Sequence, residues 1–69
     1  MLLAVKKIDQ FLKKKNKARS WLAERASITP NYLSMLISGA RSNASDSVKL
    51  RIQDATKGFV KFADWGKRV

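Results

Sequence analysis

The sequence predicts an all-α protein: one compact domain of four to five helices that contains a helix-turn-helix. Three observations predict it. Apolar residues recur at three- and four-residue steps through most of the chain, which is the period of a helix face and not of a strand. A helix start is written at Thr29–Pro30, where a hydroxyl can cap and a proline can take the first helical position. Residues suited to ending a helix, Asn16, Gly39 and Gly58, punctuate the periodic stretches.

The first helix is expected over 1–15, with Leu2 or Leu3, Val5, Ile8, Phe11 and Leu12 on one face and Lys6, Lys7, Lys13 and Lys14 mostly on the other. The lysines gather towards its end, where they complement the negative pole of the helix dipole. Asn16 is a plausible stop because asparagine tolerates the left-handed conformation. The second helix runs from Lys17 or Ala18 to Arg25. Trp21, Leu22 and Ala26 supply its apolar face, Trp21 being read as core, and Ala23 is small enough to let another helix approach. Its start is poorly written, since Ala18 is a weak cap, and Asn16 is the nearest side chain that could cap it from further back.

Ser27 and Ile28 form a turn, and Thr29 caps the third helix, Pro30 to Ser38, closed by Gly39. Leu33, Leu36 and Ile37 make its core stripe, leaving Asn31, Tyr32, Ser34 and Met35 on the remaining faces. A loop from Ala40 to Ala44 carries Arg41 and Asn43. Ser45, Asp46 or Ser47 then caps a fourth helix to about Lys57, with Val48, Ile52 and Ala55 inward and Gly58 as its C-cap. The last stretch, FVKFADWGKRV, reads as a short strand at Phe59 to Phe62, an irregular arm, or a helical turn carrying Trp65. Lys67 and Arg68 read as a loose basic tail.

Sixty-nine residues make one domain, near the size where only about 60% of the unfolded chain's surface is buried. With no cysteine and no histidine, neither a disulfide nor an ordinary zinc site supplements the core. No metal or other cofactor is expected. Five scattered carboxylates, no nucleophile–base pair and no Gly-rich phosphate loop argue against an enzyme and a small-molecule substrate. Fifteen Lys and Arg against five Asp and Glu give a net charge of +10, which predicts attraction to a polyanion. A cationic membrane-surface helix would suit the first helix alone, but the rest of the chain is patterned to fold. The apolar run at Met1–Val5 is too short for a signal peptide or a span, so a soluble, cytoplasmic protein is expected.

The strings RSWLA (19–23), SIT (27–29) and LISG (36–39) resemble the helix-turn-helix of the phage Cro and lambda-repressor-like family. That pattern runs roughly Gln-x-x-Leu-Ala, then Gly-hydrophobic-Ser/Thr, then a helix ending near Gly. Here the motif is 19–39, with Ala23 at the crossing, Ser27 in the turn and Ile28, Leu33 and Leu36 as anchors. Two departures stand out. Arg19 replaces the usual Gln and can still hold a phosphate by charge. Ser27 replaces the commonest Gly, at a cost of about 1–2 kcal/mol if the turn is left-handed.

The resemblance implies a sequence-specific double-stranded DNA-binding regulator, a Cro-like repressor on a palindromic operator in a bacterial or phage-infected cell. Its recognition helix (30–38) would lie in the major groove. Pro30, Asn31, Ser34 and Met35 occupy the base-facing positions, Asn31 being suited to the N6 and N7 edge of adenine. Lys17, Arg19, Thr29, Tyr32, Arg41 and Asn43 are the phosphate candidates. Phe59, Phe62 and Trp65 either cover the base of the core or form a dimer contact within 59–69, placing two recognition helices about 34 Å apart. Two other readings remain: an antitoxin-type DNA-binding protein whose C-terminal segment binds a toxin, or a basic protein that coats nucleic acid without sequence choice.

Overall fold

The structure, a computed structural model, describes residues 2–40 and 44–68. Four α-helices and a closing 3₁₀ turn follow one another: α1 (Leu3–Lys15), α2 (Arg19–Arg25), α3 (Pro30–Ser38), α4 (Asp46–Ala55) and the turn Phe62–Gly66. The expected all-α bundle is what forms. Its radius of gyration of 10.4 Å is close to the roughly 11 Å typical of a single domain of this length.

The helix periodicity translates directly into burial. Val5, Ile8, Phe11 and Leu12 of α1 are buried as the spacing requires, together with Ala4, while Leu2 and Leu3 are only half-buried. Ile8, Leu22, Leu33, Leu36, Ile52 and Val60 are the largest fully buried side chains, one or two from each helix and one from the C-terminal segment. Each contributes about 1.5–3 kcal/mol of apolar burial, so no single element can be removed without opening the core to the others. Ala23 and Ala26 have no exposed surface, which is how α3 and α4 come close to the short α2.

Three of the four helices close with the same backbone device. At the end of α1, the Asn16 N–H donates to the Lys13 carbonyl (3.2 Å) and the Lys17 N–H to that of Leu12 (3.0 Å). After α2, Ser27 donates to Glu24 (3.1 Å) and Ile28 to Ala23 (2.9 Å); after α4, Lys57 donates to Asp54 (3.1 Å) and Gly58 to Gln53 (2.8 Å). This paired closure requires a left-handed residue. The chain uses Asn16, Ser27 and Lys57 there, at φ of 54°, 56° and 53°. The fourth helix expected to reach Lys57 stops at Ala55, because the left-handed closure expected at Gly58 (φ 83°) already begins at Lys57. Asn16 terminates α1 and does not cap α2, whose first residue is preceded by Ala18 with no side-chain cap.

The turn between α2 and α3 is held from outside as well. Arg51 of α4 donates from Nη1 to the Ser27 carbonyl (3.2 Å) and from Nη2 to Ser47 Oγ (3.1 Å). Ser45 caps α4, its Oγ accepting from the Val48 N–H at 3.4 Å.

The C-terminal segment is the helical turn of the three readings, and no strand forms at Phe59 to Phe62. Polar contacts, those of Thr56 buried, fix its path. Thr56 Oγ1 donates to the Ile52 carbonyl (2.8 Å) and accepts from the Val60 N–H (3.1 Å), and Gln53 Oε1 accepts from the Phe62 N–H (2.7 Å). Asp64 accepts from Lys7 Nζ and from the Lys61 N–H, both at 2.9 Å. Burial raises the Asp64 pKa, but the Lys7 and Lys61 hydrogen bonds and the charges of Lys7 and Lys67 outweigh it, holding the carboxyl below its usual value. The segment delivers Trp65 into the core at 2% exposure, where its indole N–H meets no acceptor among the described residues. Lys67 and Arg68 are not a loose tail. The Leu3 N–H donates to the Lys67 carbonyl (2.8 Å), and Arg68 pairs with Leu2 in an isolated antiparallel bridge.

Candidate nucleic-acid interface

A helix can offer a face to a partner only if its start is satisfied and its other face is anchored. In α3 both conditions hold. Thr29 Oγ1 accepts from the Tyr32 N–H at 3.1 Å, and Pro30 occupies the first turn, so an orphan donor is paired and another is missing by chemistry. Leu33 and Leu36 are buried, with Ile37 and Tyr32 packed at the margin of the core. Gly39 closes the helix at φ 87°.

At about 100° per residue, Asn31, Ser34, Met35 and Ser38 then fall together, opposite the Leu33–Leu36 stripe. Asn31 is exposed, whereas Ser34 and Met35 are half-buried. Pro30 is exposed but turned to the flank of this face. Ser38 completes the face geometrically, but its hydroxyl donates to the Met35 carbonyl at 3.3 Å. No charged residue lies in α3. The Thr29 hydroxyl retains its own proton for a further acceptor. Tyr32 is half-buried, its ring against the core.

The cations lie beside the hairpin. Lys17 and Arg19, both exposed, line a shallow depression with Asp9, Leu12, Lys13, Asn16 and Ala18. Asp9 pairs with Lys13 at 3.0 Å, and neither Lys17 nor Arg19 has an ion pair among the described residues. Lys17 Nζ is turned back over the Trp21 ring, 5.6 Å from its centroid. Arg41 and Asn43 lie outside the described residues.

Of the three aromatics suggested for a dimer contact, only two are at the surface. Phe59 and Phe62 are 37% and 39% exposed, while Trp65 belongs to the core, because the Asp64 contacts rotate the turn inward. Phe62 carries Lys49 Nζ over its ring at 5.3 Å, and Phe59 packs on Phe11 at 5.8 Å. Trp21, expected in the core, is instead half-buried, with Phe11 stacked beside it at 6.2 Å.

A second group was missed. Lys15 sits over Phe11 (5.9 Å), and Arg25 joins Lys17 over Trp21 (4.9 Å). Each cation stands four residues from the ring it covers: Phe11 and Lys15, Lys17 and Trp21, Trp21 and Arg25. For Phe11–Lys15 in α1 and Trp21–Arg25 in α2 that spacing makes neighbours on a helix face, whereas Lys17 precedes α2 and reaches Trp21 from the linker. Apolar periodicity alone places both rings in the core, with Lys17 expected at a phosphate.

Among the described residues, no helix is long and apolar enough to cross a membrane. Comparison with protein-family models, with curated proteins and with solved structures finds no match to this chain.

Proposed function

We propose that the chain is a sequence-specific double-stranded DNA-binding regulator of the Cro and lambda-repressor-like kind, with α3 as its recognition helix. The observation that carries this reading is the division of labour around the hairpin. A capped nine-residue helix presents an uncharged polar face headed by the exposed Asn31, and unpaired cations flank it. A helix of nine residues is about 14 Å long, which suits one passage through a major groove about 12 Å wide. Asn31 reads a base edge by donating and accepting together, and Ser34 and Met35 add contacts beside it. Lys17, Arg19 and the Thr29 hydroxyl hold the backbone, supplying affinity but little sequence information.

The regulator acts as a dimer on a palindromic operator, from which it excludes polymerase. Phe62 is the aromatic best suited to the dimer contact, since Trp65 is enclosed and Phe59 lies among unpaired cations that a second basic copy would repel. The charge distribution also favours a second reading. Because α3 carries no cation, most of the affinity comes from outside the reading face, as in a protein that coats nucleic acid without sequence choice.

Selection of bound duplexes from a random library separates the two. A regulator enriches a palindrome with half-sites about 34 Å apart, and prefers it over random duplex by roughly 10³-fold or more at physiological salt. Enrichment of no sequence, with equal affinity for all duplexes, overturns the regulator reading in favour of the second.

A further inference from the structure

The side of the molecule that α3 does not contribute to carries a site of its own. An open cleft of about 550 Å³ lies between the end of α1, α2 and the bend after α4, lined by Phe11, Trp21, Phe59, Arg25, Lys57 and neighbouring lysines. Its volume is within the range of small-molecule sites, about 300–1,000 Å³. The floor is aromatic: Phe11 lies between Trp21 (6.2 Å) and Phe59 (5.8 Å). The rim is cationic: Lys14, Lys15, Arg25 and Lys57 all line it, and among the described residues no carboxylate does. None of these four has an ion pair among the described residues, although the chain places three other lysines against Asp9, Asp46 and Asp64.

Two features indicate a built surface. Lys57 is held at the rim by a left-handed backbone that lysine adopts at a cost, and Gly58 beside it is left-handed as well, at φ 83°. Phe59 and Trp21 remain partly exposed in a chain that buries Trp65 almost completely. Repulsion among cations without carboxylate partners around the cleft raises the free energy of the unoccupied protein, and an anion relieves it. A second copy of this basic chain meeting the cleft would add cations to a rim that already holds four without carboxylate partners, so local charge argues against it as the occupant here. An aromatic floor within a basic rim matches a flat ring attached to an anion, the combination found in a base with its phosphate.

We propose that this cleft binds a nucleotide unit, with the base against Trp21 and Phe59 and the phosphate on Arg25, Lys57 and the adjacent lysines. The unit is either a free nucleotide or one residue of a single strand. The site is separate from the α3 face and does not depend on the reading of duplex DNA.

Trp21 supplies the measurement, because base contact quenches a partly exposed indole and Trp65 is enclosed. ATP titrated into the full chain is expected to quench the fluorescence saturably, and Trp21→Phe to abolish the signal while calorimetry still records binding. The double variant Arg25→Gln, Lys57→Gln, with both substitutions at exposed positions, is expected to weaken ATP about tenfold or more at low salt with an unchanged circular dichroism spectrum. Asn31→Ala is expected to bind ATP as the parent does, which keeps this site distinct from the duplex interface. An octamer of deoxythymidylate that binds far more tightly than ATP assigns the unit to a single strand, and equal binding assigns it to a free nucleotide. Four results overturn the proposal: no ATP binding at millimolar concentration, undiminished binding by the double variant, pyrophosphate binding as tightly as ATP, or an octaglutamate peptide binding more tightly than any nucleotide.

Discussion

The hairpin of α2 and α3 and the segment from Phe59 to Arg68 are built on opposite principles. The hairpin is held mainly by residues close together in the sequence: Thr29 to Tyr32 across the cap, Ser27 to Glu24 and Ile28 to Ala23 across the turn. The C-terminal segment is held by residues far apart, with Lys7 reaching Asp64 and Leu3 reaching Lys67. Local closure leaves the outer face of α3 free for a partner, whereas distant closure spends the aromatic and charged side chains of the segment on stability. Substitutions that remove the segment's buried contacts should therefore damage folding, and those on the outer face of α3 should damage binding alone.

The largest expected effect is at Trp65. Truncating a buried tryptophan costs about 3–5 kcal/mol, against a total of roughly 3–10 kcal/mol for a domain of this size. Trp65→Ala should leave much of the chain unfolded in a urea titration, and Phe62→Ala should shift the midpoint far less. Sedimentation can then use Phe62→Ala to test the dimer, since its monomeric form would still be folded. A Trp65→Ala protein with normal stability would mean that the segment is an appendage after all.

Next comes the Lys7–Asp64 contact. Lys7→Met leaves a carboxylate with little exposure and only the Lys61 N–H to satisfy it. The loss of a buried partner costs about 3–5 kcal/mol, reduced to roughly 2–3 here because Lys7 is itself 28% exposed. The sign of the pH dependence follows from the lowered pKa of Asp64. Its contribution is present above the unfolded carboxylate value, about 3.9, and is lost as pH falls through the lower folded value. Asp64→Asn should thus remove part of the stability at neutral pH and flatten the acid limb of a stability–pH curve. Unchanged steepness would show that another carboxylate governs acid unfolding.

On the hairpin the readout changes from stability to binding. Asn31→Ala should leave the urea midpoint within about 0.5 kcal/mol, as an exposed substitution. It should erase about 1–3 kcal/mol of discrimination at one base pair. Arg19→Ala should weaken all duplexes alike and lower the salt slope by about one. If Asn31→Ala retained its selectivity, base reading would lie elsewhere, and a fall in its stability would place Asn31 with the scaffold.

The same contrast explains what was legible in the sequence. Helix periodicity, the Thr29–Pro30 start and the Gly39 stop are local signals, so the four helices and the scaffold of the hairpin were readable to within a residue or two. The end of α4 comes two residues earlier than expected because the left-handed stretch begins at Lys57 and continues through Gly58, at φ 53° and 83°, and a lysine gives no sign of such a turn. The fate of Trp65 was not readable, since it depends on an ion pair spanning 57 residues and on the Thr56 hydroxyl bracing Val60. The aromatic cleft assembles from three separate stretches, and only the cation–ring spacing around Phe11 and Trp21 was visible beforehand.

The smallest expected effects concern the left-handed residues, and they sharpen the comparison because they sit at the boundaries of both regions. Ser27 and Lys57 have nearly the same φ, 56° and 53°. Replacement by glycine relieves about 1–2 kcal/mol of backbone strain and adds about 0.5–1 kcal/mol of chain entropy to the unfolded state. Ser27→Gly should therefore raise stability by about 0.5–1 kcal/mol, measured by urea, without altering DNA selectivity, because Arg51 bonds the carbonyl of residue 27 and not its side chain. Lys57→Gly should give a similar gain while weakening nucleotide binding, since it removes a rim cation. Gly39→Ala is the reverse experiment. Among the described residues an added Cβ at Gly39 meets no atom within 4 Å, so a loss of about 1 kcal/mol is expected from the backbone at φ 87° and not from crowding by them. If Ser27→Gly proves destabilising, the strain argument fails at the turn, and Ser27 must hold the hairpin through its side chain.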